Sequence, residues 1–111
     1  MLIESFLDYL RYERNYSDKT VLAYGEDIRQ LQEFAQEEYG EFDPLEVEAE
    51  LIREWIVSLM DRGYTSTSVN RKLSSLRSFY KYLLRQGEVT VDPLRKITGP
   101  KNKKTLPVFL K

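Results

Sequence analysis

Apolar residues recur every three or four positions in four separate stretches of the chain, and this spacing is typical of amphipathic α-helices. The stretches run from Leu2 to Arg14, from Ser17 to Tyr39, from Ala49 to Arg62 and from Thr65 to Gly87. Short links join the first to the second and the third to the fourth, which favours two antiparallel helical hairpins packed on each other. The pattern therefore predicts an all-α fold of four helices. The residues predicted to be buried are Ile3, Phe6, Leu7 and Leu10; Val21, Tyr24, Ile28, Leu31, Ala35 and Tyr39; Ile52, Trp55, Ile56 and Leu59; and Val69, Leu73, Leu76, Tyr80 and Leu83.

The composition of the chain changes after residue 88. Three of its four prolines lie within residues 89–111, and proline disfavours helix both at its own position and at the one before it. A basic cluster lies between two of these prolines and consists of Lys101, Lys103 and Lys104. We therefore predict a helical domain over residues 1–88 and an extended basic linker over residues 89–111 that leads to a further domain. A disordered basic tail is the alternative.

The fourth helix has a second surface besides its apolar stripe. On a helical wheel its polar residues fall within roughly 100° of each other, with Arg71 just beyond them. No acidic residue occurs between Thr65 and Gln86. Arginine and asparagine can hydrogen-bond base edges, lysine suits phosphates, and small serines allow close approach of a partner. This surface is either a nucleic-acid contact or a solvated basic face. Its residues are Asn70, Ser74, Arg77, Ser78, Lys81 and Arg85.

Charge is distributed very unevenly along the chain. Residues 1–50 contain 4 basic and 14 acidic residues, whereas residues 51–111 contain 13 basic and 4 acidic ones, so the net charge of −1 hides two opposite halves. Such asymmetry indicates an oriented electrostatic partner, either a nucleic acid or an acidic protein surface.

The start of the second helix is a candidate phosphate site. Ser17 can cap the helix, and Lys19 and Thr20 add an ammonium and a hydroxyl at the positive end of the helix dipole. Asp18 and Asp27 are expected to interact with this dipole or with solvent.

The composition excludes several classes of chemistry. The chain has no cysteine and no histidine, which removes disulfides, thiolate metal sites and the commonest general base. It also lacks a glycine-rich phosphate loop and acidic residues at metal-loop spacing. We predict no catalytic residues, no metal and no cofactor, so the chain alone is not an enzyme. Neither a signal peptide nor a membrane span is indicated, and we expect a cytoplasmic protein without a membrane partner.

Four segments together resemble the amino-terminal core-binding (SAM-like) domain of tyrosine recombinases, especially Xer-type chromosome-dimer resolvases and phage-type integrases. They read SDKTVLAYGEDIRQL from Ser17, SVNRKLSSLRSFYKYLLRQG from Ser68, DPLRKITGPK from Asp92 and LPVFL from Leu106. The resemblance implies a four-helix unit that forms half of a C-shaped clamp around DNA. It also implies that the second and fourth helices face the major groove.

The resemblance further assigns roles to individual residues. Lys19 and Thr20 match the end of the second helix that approaches DNA, and Lys81 matches a phosphate contact. The DNA-facing side of the fourth helix is matched by Asn70, Arg71, Ser74 and Arg77. The segment with Lys101, Lys103 and Lys104 matches a linker that passes along the duplex. The implied partners are double-stranded DNA at a recombination site, the missing catalytic domain of the same protein, and other protomers in a synaptic tetramer.

Two other functions are compatible with the residues. One is a helical module for protein interaction or self-association through its oppositely charged faces. The other is a transcriptional regulator with a helix-turn-helix, although the fourth helix is long for a recognition helix. The recombinase interpretation requires the predicted contacts on the fourth helix to lie outside the bundle, beside Lys19 and Thr20.

Overall fold

Four helices and the segment that follows them form residues 2–100, the part of the chain that the computed structural model describes. Helix α1 covers Leu2–Asp8 and continues as one π-helical turn, Tyr9–Glu13. Helix α2 covers Asp18–Tyr39, a short 3₁₀ turn covers Pro44–Glu46, α3 covers Ala49–Asp61 and α4 covers Ser66–Arg85. No strand occurs within residues 2–100, and the predicted all-α fold of four helices is confirmed.

Hydroxyl side chains explain where the two long helices begin. Ser17 accepts a hydrogen bond from the Thr20 amide at the start of α2, and Thr65 accepts one from the Ser68 amide at the start of α4. Each bond satisfies an amide that the helix itself leaves free. Asn15 adopts a left-handed conformation with φ of 57°, which turns the chain between α1 and α2.

The predicted apolar stripes form one core, against which Ile3, Leu7, Tyr24 and Ile56 are only partly buried, whereas Tyr39 lies outside it. All five stripe residues of α4 are at most 1% exposed, and Trp55 of α3 is also 1% exposed, as a core residue should be. Phe79 is fully buried as well, although it lies beside the predicted stripe. Its ring centroid lies 5.3 Å from that of Phe6, so it connects α4 to α1.

Two tyrosines predicted to lie in the core have polar partners, and only one of them is buried. Tyr39 is 58% exposed in the last turn of α2, where residues 36–39 are all exposed, and its hydroxyl bonds to the Glu54 carboxylate. Tyr80 is buried as predicted and donates a hydrogen bond to the Pro44 carbonyl at 2.8 Å. Burial raises the pKa of the Tyr80 hydroxyl far above its ordinary value, so this residue is a neutral donor.

Gly25 of α2 lies against the Leu7 side chain of α1. A Cβ atom added there would lie 3.2 Å from Leu7 Cδ1, tighter than an ordinary van der Waals contact. The glycine therefore lets α1 lie directly against the backbone of α2, which compensates for the roughly 1 kcal/mol that glycine costs within a helix.

The segment after α4, residues 92–100, returns across the bundle and is called the exit segment below. Asp92 accepts a hydrogen bond from the Leu94 amide at 2.8 Å and so closes a turn at its start. Leu94 and Ile97 are 2% and 6% exposed and belong to the same core as the helices. The predicted division of the chain at residue 88 therefore leaves out two core residues.

None of the helices within residues 2–100 is both long enough and apolar enough to span a bilayer.

Replacing Leu94 by Ala tests whether the exit segment belongs to the folded unit. We expect this change to lower the free energy of unfolding by about 2–3 kcal/mol, because a buried leucine leaves a cavity in the helical core. The matched control is Val91→Ala, since Val91 is 67% exposed and should change stability by no more than about 0.5 kcal/mol. Urea denaturation followed by helical circular dichroism measures both. Equal midpoints for L94A and wild type would contradict the prediction.

Candidate nucleic-acid interface

Five polar side chains of helix α4 lie on an open strip of the bundle. On a helix of 3.6 residues per turn, their positions fall within about 80° of each other. The strip is called the basic row and consists of Arg71, Ser74, Ser78, Lys81 and Arg85. The Arg71 side chain is 63% exposed; Ser74, Lys81 and Arg85 are exposed, and Ser78 is half-buried. Because α4 contains no acidic residue, no carboxylate of its own interrupts this row.

Two members of the basic row are hydrogen-bonded within the chain. Ser74 Oγ donates to the Asn70 carbonyl oxygen one turn earlier, at 3.2 Å. Arg85 Nη1 donates to the Tyr9 hydroxyl at 2.9 Å, which ties the end of α4 to the π-helical turn after α1. Hydrogen bonding by the guanidinium groups of Arg14 and Arg85 lowers the pKa of the Tyr9 hydroxyl. Arg85 therefore has a structural partner, whereas Arg71 and Lys81 project from the open strip.

Asn70 and Arg77 lie along one edge of the basic row, beneath the exit segment. Asn70 Nδ2 donates to the Pro100 carbonyl oxygen at 2.8 Å, and Arg77 Nη2 donates to the Ile97 carbonyl oxygen at 3.3 Å. A Cβ atom added at Gly99 would overlap with Asn70 Oδ1 and lie 2.9 Å from its Cγ. These two predicted contacts are thus half-buried and already bonded to the main chain. The recombinase interpretation requires the predicted contacts on α4 to lie outside the bundle. Arg71 and Ser74 do so, whereas Asn70 and Arg77 do so only in part.

Helix α2 borders the opposite edge of the basic row through a buried polar cluster. Asp27 is 2% exposed, and its two carboxylate oxygens lie 3.2 Å from Lys72 Nζ and 2.7 Å from Ser75 Oγ. Lys72 and Ser75 are each 5% exposed, and Lys72 Nζ also lies 5.3 Å from the centre of the Tyr64 ring. The expectation that Asp27 interacts with solvent or the helix dipole is wrong, because its carboxylate is paired in the interior.

The amino end of α2 is directed along α4. Asp27 pairs with Lys72, whereas Tyr24, one turn earlier on α2, contacts the Phe6 ring that also contacts Phe79, two turns after Lys72. The two helices therefore run antiparallel where they touch, and the start of α2 points towards the carboxyl-terminal half of α4. Thr20 precedes Asp27 by two turns and lies on the same side of α2, since seven residues return a helix to within about 20°.

Lys19 and Thr20 are both exposed at this end of α2. The Thr20 hydroxyl accepts a hydrogen bond from Ser17 Oγ at 3.0 Å. Ser17 therefore caps the helix while Lys19 and Thr20 remain exposed. The first turn also contains Asp18, whose carboxylate lies 3.2 Å from Arg11 Nε and is thereby paired. The predicted linker contacts Lys101, Lys103 and Lys104 lie outside the described residues.

Comparisons with known proteins bear on this surface. Residues 3–87 match the family model described as phage integrase, N-terminal SAM-like domain. Among similar curated proteins are tyrosine recombinase XerC of Listeria innocua, 39% identical over 97% of this chain, and that of Lactobacillus delbrueckii subsp. bulgaricus, 42% identical over 97%. A third, tyrosine recombinase XerC of Chlorobaculum parvum, is 36% identical over 97% of the chain. The chain spans 36%, 36% and 34% of these relatives, respectively. No solved structure matches the chain.

The close contact between Gly99 and Asn70 can be tested with Gly99→Ala. The added methyl group cannot occupy the same space as Asn70 Oδ1, so we expect the exit segment to separate from α4 around residues 97–100. A loss of about 1 kcal/mol in local stability would make trypsin cleave after Arg95 and Lys96 about fivefold faster. Thr98→Ala is the control, because Thr98 is exposed and next to the same glycine. The prediction fails if both variants are cleaved at the wild-type rate.

Proposed function

Because this chain belongs to the family of phage integrase N-terminal SAM-like domains, we propose that it is the DNA-binding domain of a tyrosine recombinase. The observation that carries this proposal is the basic row, an open cationic strip between α2 and the exit segment. A protein surface that meets DNA needs cations for phosphates and small side chains where the backbone approaches the groove. The basic row offers both in one line.

The dimensions of the row suit a major groove. Arg71 and Lys81 are ten residues apart, which corresponds to about 15 Å along a helix axis, whereas the groove is about 12 Å wide. Cations near the two ends of the row therefore reach phosphates on opposite strands when α4 lies across the groove. Ser74 and Ser78 then lie nearest the base edges, where their short side chains avoid a clash.

The start of α2 supplies a second contact. Lys19 and Thr20 lie in the first turn of a 22-residue helix, where the dipole and free amides favour phosphate. Because this end points along α4, it contacts the duplex next to the groove that α4 enters. Both helices thereby contact the same side of the duplex, which corresponds to one half of the clamp that the resemblance implies.

Asn70 and Arg77 can contact DNA in this proposal only if the exit segment moves. Their donors are bonded to the carbonyl oxygens of Pro100 and Ile97, so contact with bases requires residues 97–100 to move from α4. Arg71, Ser74 and Lys81 need no such movement. We therefore assign the first DNA contacts to these three residues.

The larger assembly is also part of the proposal. The similar proteins named tyrosine recombinases are about three times as long as this chain, and the chain itself contains neither cysteine nor histidine. We assign strand exchange to a separate catalytic domain joined through residues 89–111, with Lys101, Lys103 and Lys104 following the duplex backbone. Other protomers would complete a synaptic assembly on the recombination site.

Titration with a fluorescent duplex of random sequence tests DNA binding. For the wild type we expect weak binding at low salt, with a dissociation constant of about 10⁻⁴ to 10⁻⁶ M, that weakens steeply as salt is added. Arg71→Ala and Lys81→Ala should each make the slope of log K against log salt less steep by about 0.9, because each removes one phosphate contact.

The matched control is Arg53→Ala. The Arg53 side chain is 51% exposed on α3 and pairs with Glu50, so this variant loses the same charge elsewhere on the bundle. Its salt slope should equal that of the wild type. If R53A loses as much as R71A, binding depends on net charge and not on the basic row. If the wild type binds no duplex at low salt and instead forms salt-sensitive oligomers by light scattering, the protein-interaction function is favoured.

A further inference from the structure

We propose that Asp27 is a positioning residue for DNA binding: it fixes α2 against α4 and holds Arg71 at the edge of the basic row. This inference rests on the proposed function and adds a role for an acidic residue that touches no ligand. Asp27 is a buried carboxylate packed against α4, a helix that itself contains no acidic residue.

The carboxylate is placed where it can act on both helices. One oxygen lies 3.2 Å from Lys72 Nζ, and the other lies 2.7 Å from Ser75 Oγ and 4.0 Å from Arg71 Nη1. All three partners are on α4, within little more than one turn. Sliding or rotating α2 relative to α4 would break these contacts together, so the cluster defines one register between the two proposed DNA-binding helices.

Burial makes this register strict. Asp27 and Lys72 are 2% and 5% exposed, and a buried charge without its partner is costly because water cannot replace that partner. A surface ion pair could be exchanged for solvent with little effect, whereas this pair cannot. Neighbouring apolar contacts favour close packing, but they are less directional than two hydrogen bonds to one carboxylate.

Arg71 connects this buried cluster to the open surface. Its side chain is 63% exposed, yet one guanidinium nitrogen remains 4.0 Å from the buried carboxylate. The long side chain is thereby restrained at its inner edge, while its other donors face solvent. A restrained arginine loses less conformational freedom when it meets a phosphate, so binding is stronger than with a freely rotating side chain.

The direction of the effect separates this role from simple electrostatics. If Asp27 were only a negative charge near DNA, Asp27→Asn would strengthen binding by removing repulsion. If Asp27 positions Arg71, the same substitution weakens binding. We expect a loss of about threefold to tenfold in affinity for a random-sequence duplex at low salt.

A double-mutant cycle with D27N, R71A and D27N/R71A shows whether the effect passes through Arg71. Once Arg71 is absent, adding D27N should cost only the part of the affinity that depends on the register of α2 against α4, which is a smaller loss than in the wild-type background. An equal loss in both backgrounds, or tighter binding by D27N, would overturn the proposal. All variants are compared at a temperature where circular dichroism shows them fully folded.

A second variant tests the proposal if D27N does not fold. The double replacement D27L/K72M exchanges the buried ion pair for apolar side chains, a change that is often neutral or stabilising. It leaves the net charge unchanged, so a shift in affinity cannot come from total charge. We expect it to fold and to bind DNA about threefold to tenfold more weakly than the wild type. Wild-type affinity in this variant would count against the proposal.

A measurement without DNA separates this inference from the proposed function. The guanidinium protons of Arg71 are observed by NMR in the wild type and in D27L/K72M. Slower solvent exchange in the wild type is expected, because the carboxylate restrains the group. Identical exchange rates would overturn the positioning role even if the domain binds DNA, whereas slow exchange in a wild type that binds no duplex would refute only the proposed function.

Discussion

The packing of α4 against every other part of the domain is the constraint on which the structure depends. Helices α1, α2 and α3 all contact it, and the exit segment adds Leu94 and Ile97 to the same core. Eight of its twenty residues are buried, which covers close to half of its circumference. Since the exit segment covers a further edge, the surface of α4 that stays open is dominated by the basic row. The shape of the candidate interface is thus a consequence of how the core is filled.

The parts of this structure that depend on local periodicity could be predicted from the sequence. Apolar spacing identified the four helices, and hydroxyl residues at Ser17 and Thr65 marked two of their starts because capping depends on neighbouring residues only. The stripe on α4 was complete except for Phe79, which lies beside it. Side chains next to a stripe are the ones whose burial is decided by the neighbouring helix, so a wheel drawn for one helix cannot assign them.

The features that could not be predicted all depend on contacts between distant residues. Asp27 and Lys72 are 45 positions apart, and each alone resembles an ordinary charged residue of a helix. The exit segment contains prolines and has no helical or strand periodicity. Its own sequence therefore does not show whether it packs on the helices or forms a free linker. Tyr39 shows the reverse error: it fits the helical pattern, but in the last turn of α2 only its hydroxyl contacts α3, through Glu54, and the side chain stays 58% exposed. One signal was present, since Lys72 and Ser75 lie next to the apolar stripe of α4, where a buried partner is needed.

The basic residues of α4 therefore differ in what they can offer to a ligand, although the sequence makes them look equivalent. Lys72 is neutralised in the interior by Asp27, Arg77 is bonded to the Ile97 carbonyl, and Arg85 is bonded to Tyr9. Arg71 and Lys81 remain as the cations that face solvent without rearrangement of the chain. Because the salt dependence of DNA binding counts the phosphates that are neutralised, the binding proposed here should owe to α4 this smaller number of contacts and not one for each of the five basic residues of the helix. A slope that grows when the exit segment is loosened would then report the release of Arg77, which makes the exit segment a determinant of how much of α4 a duplex can reach.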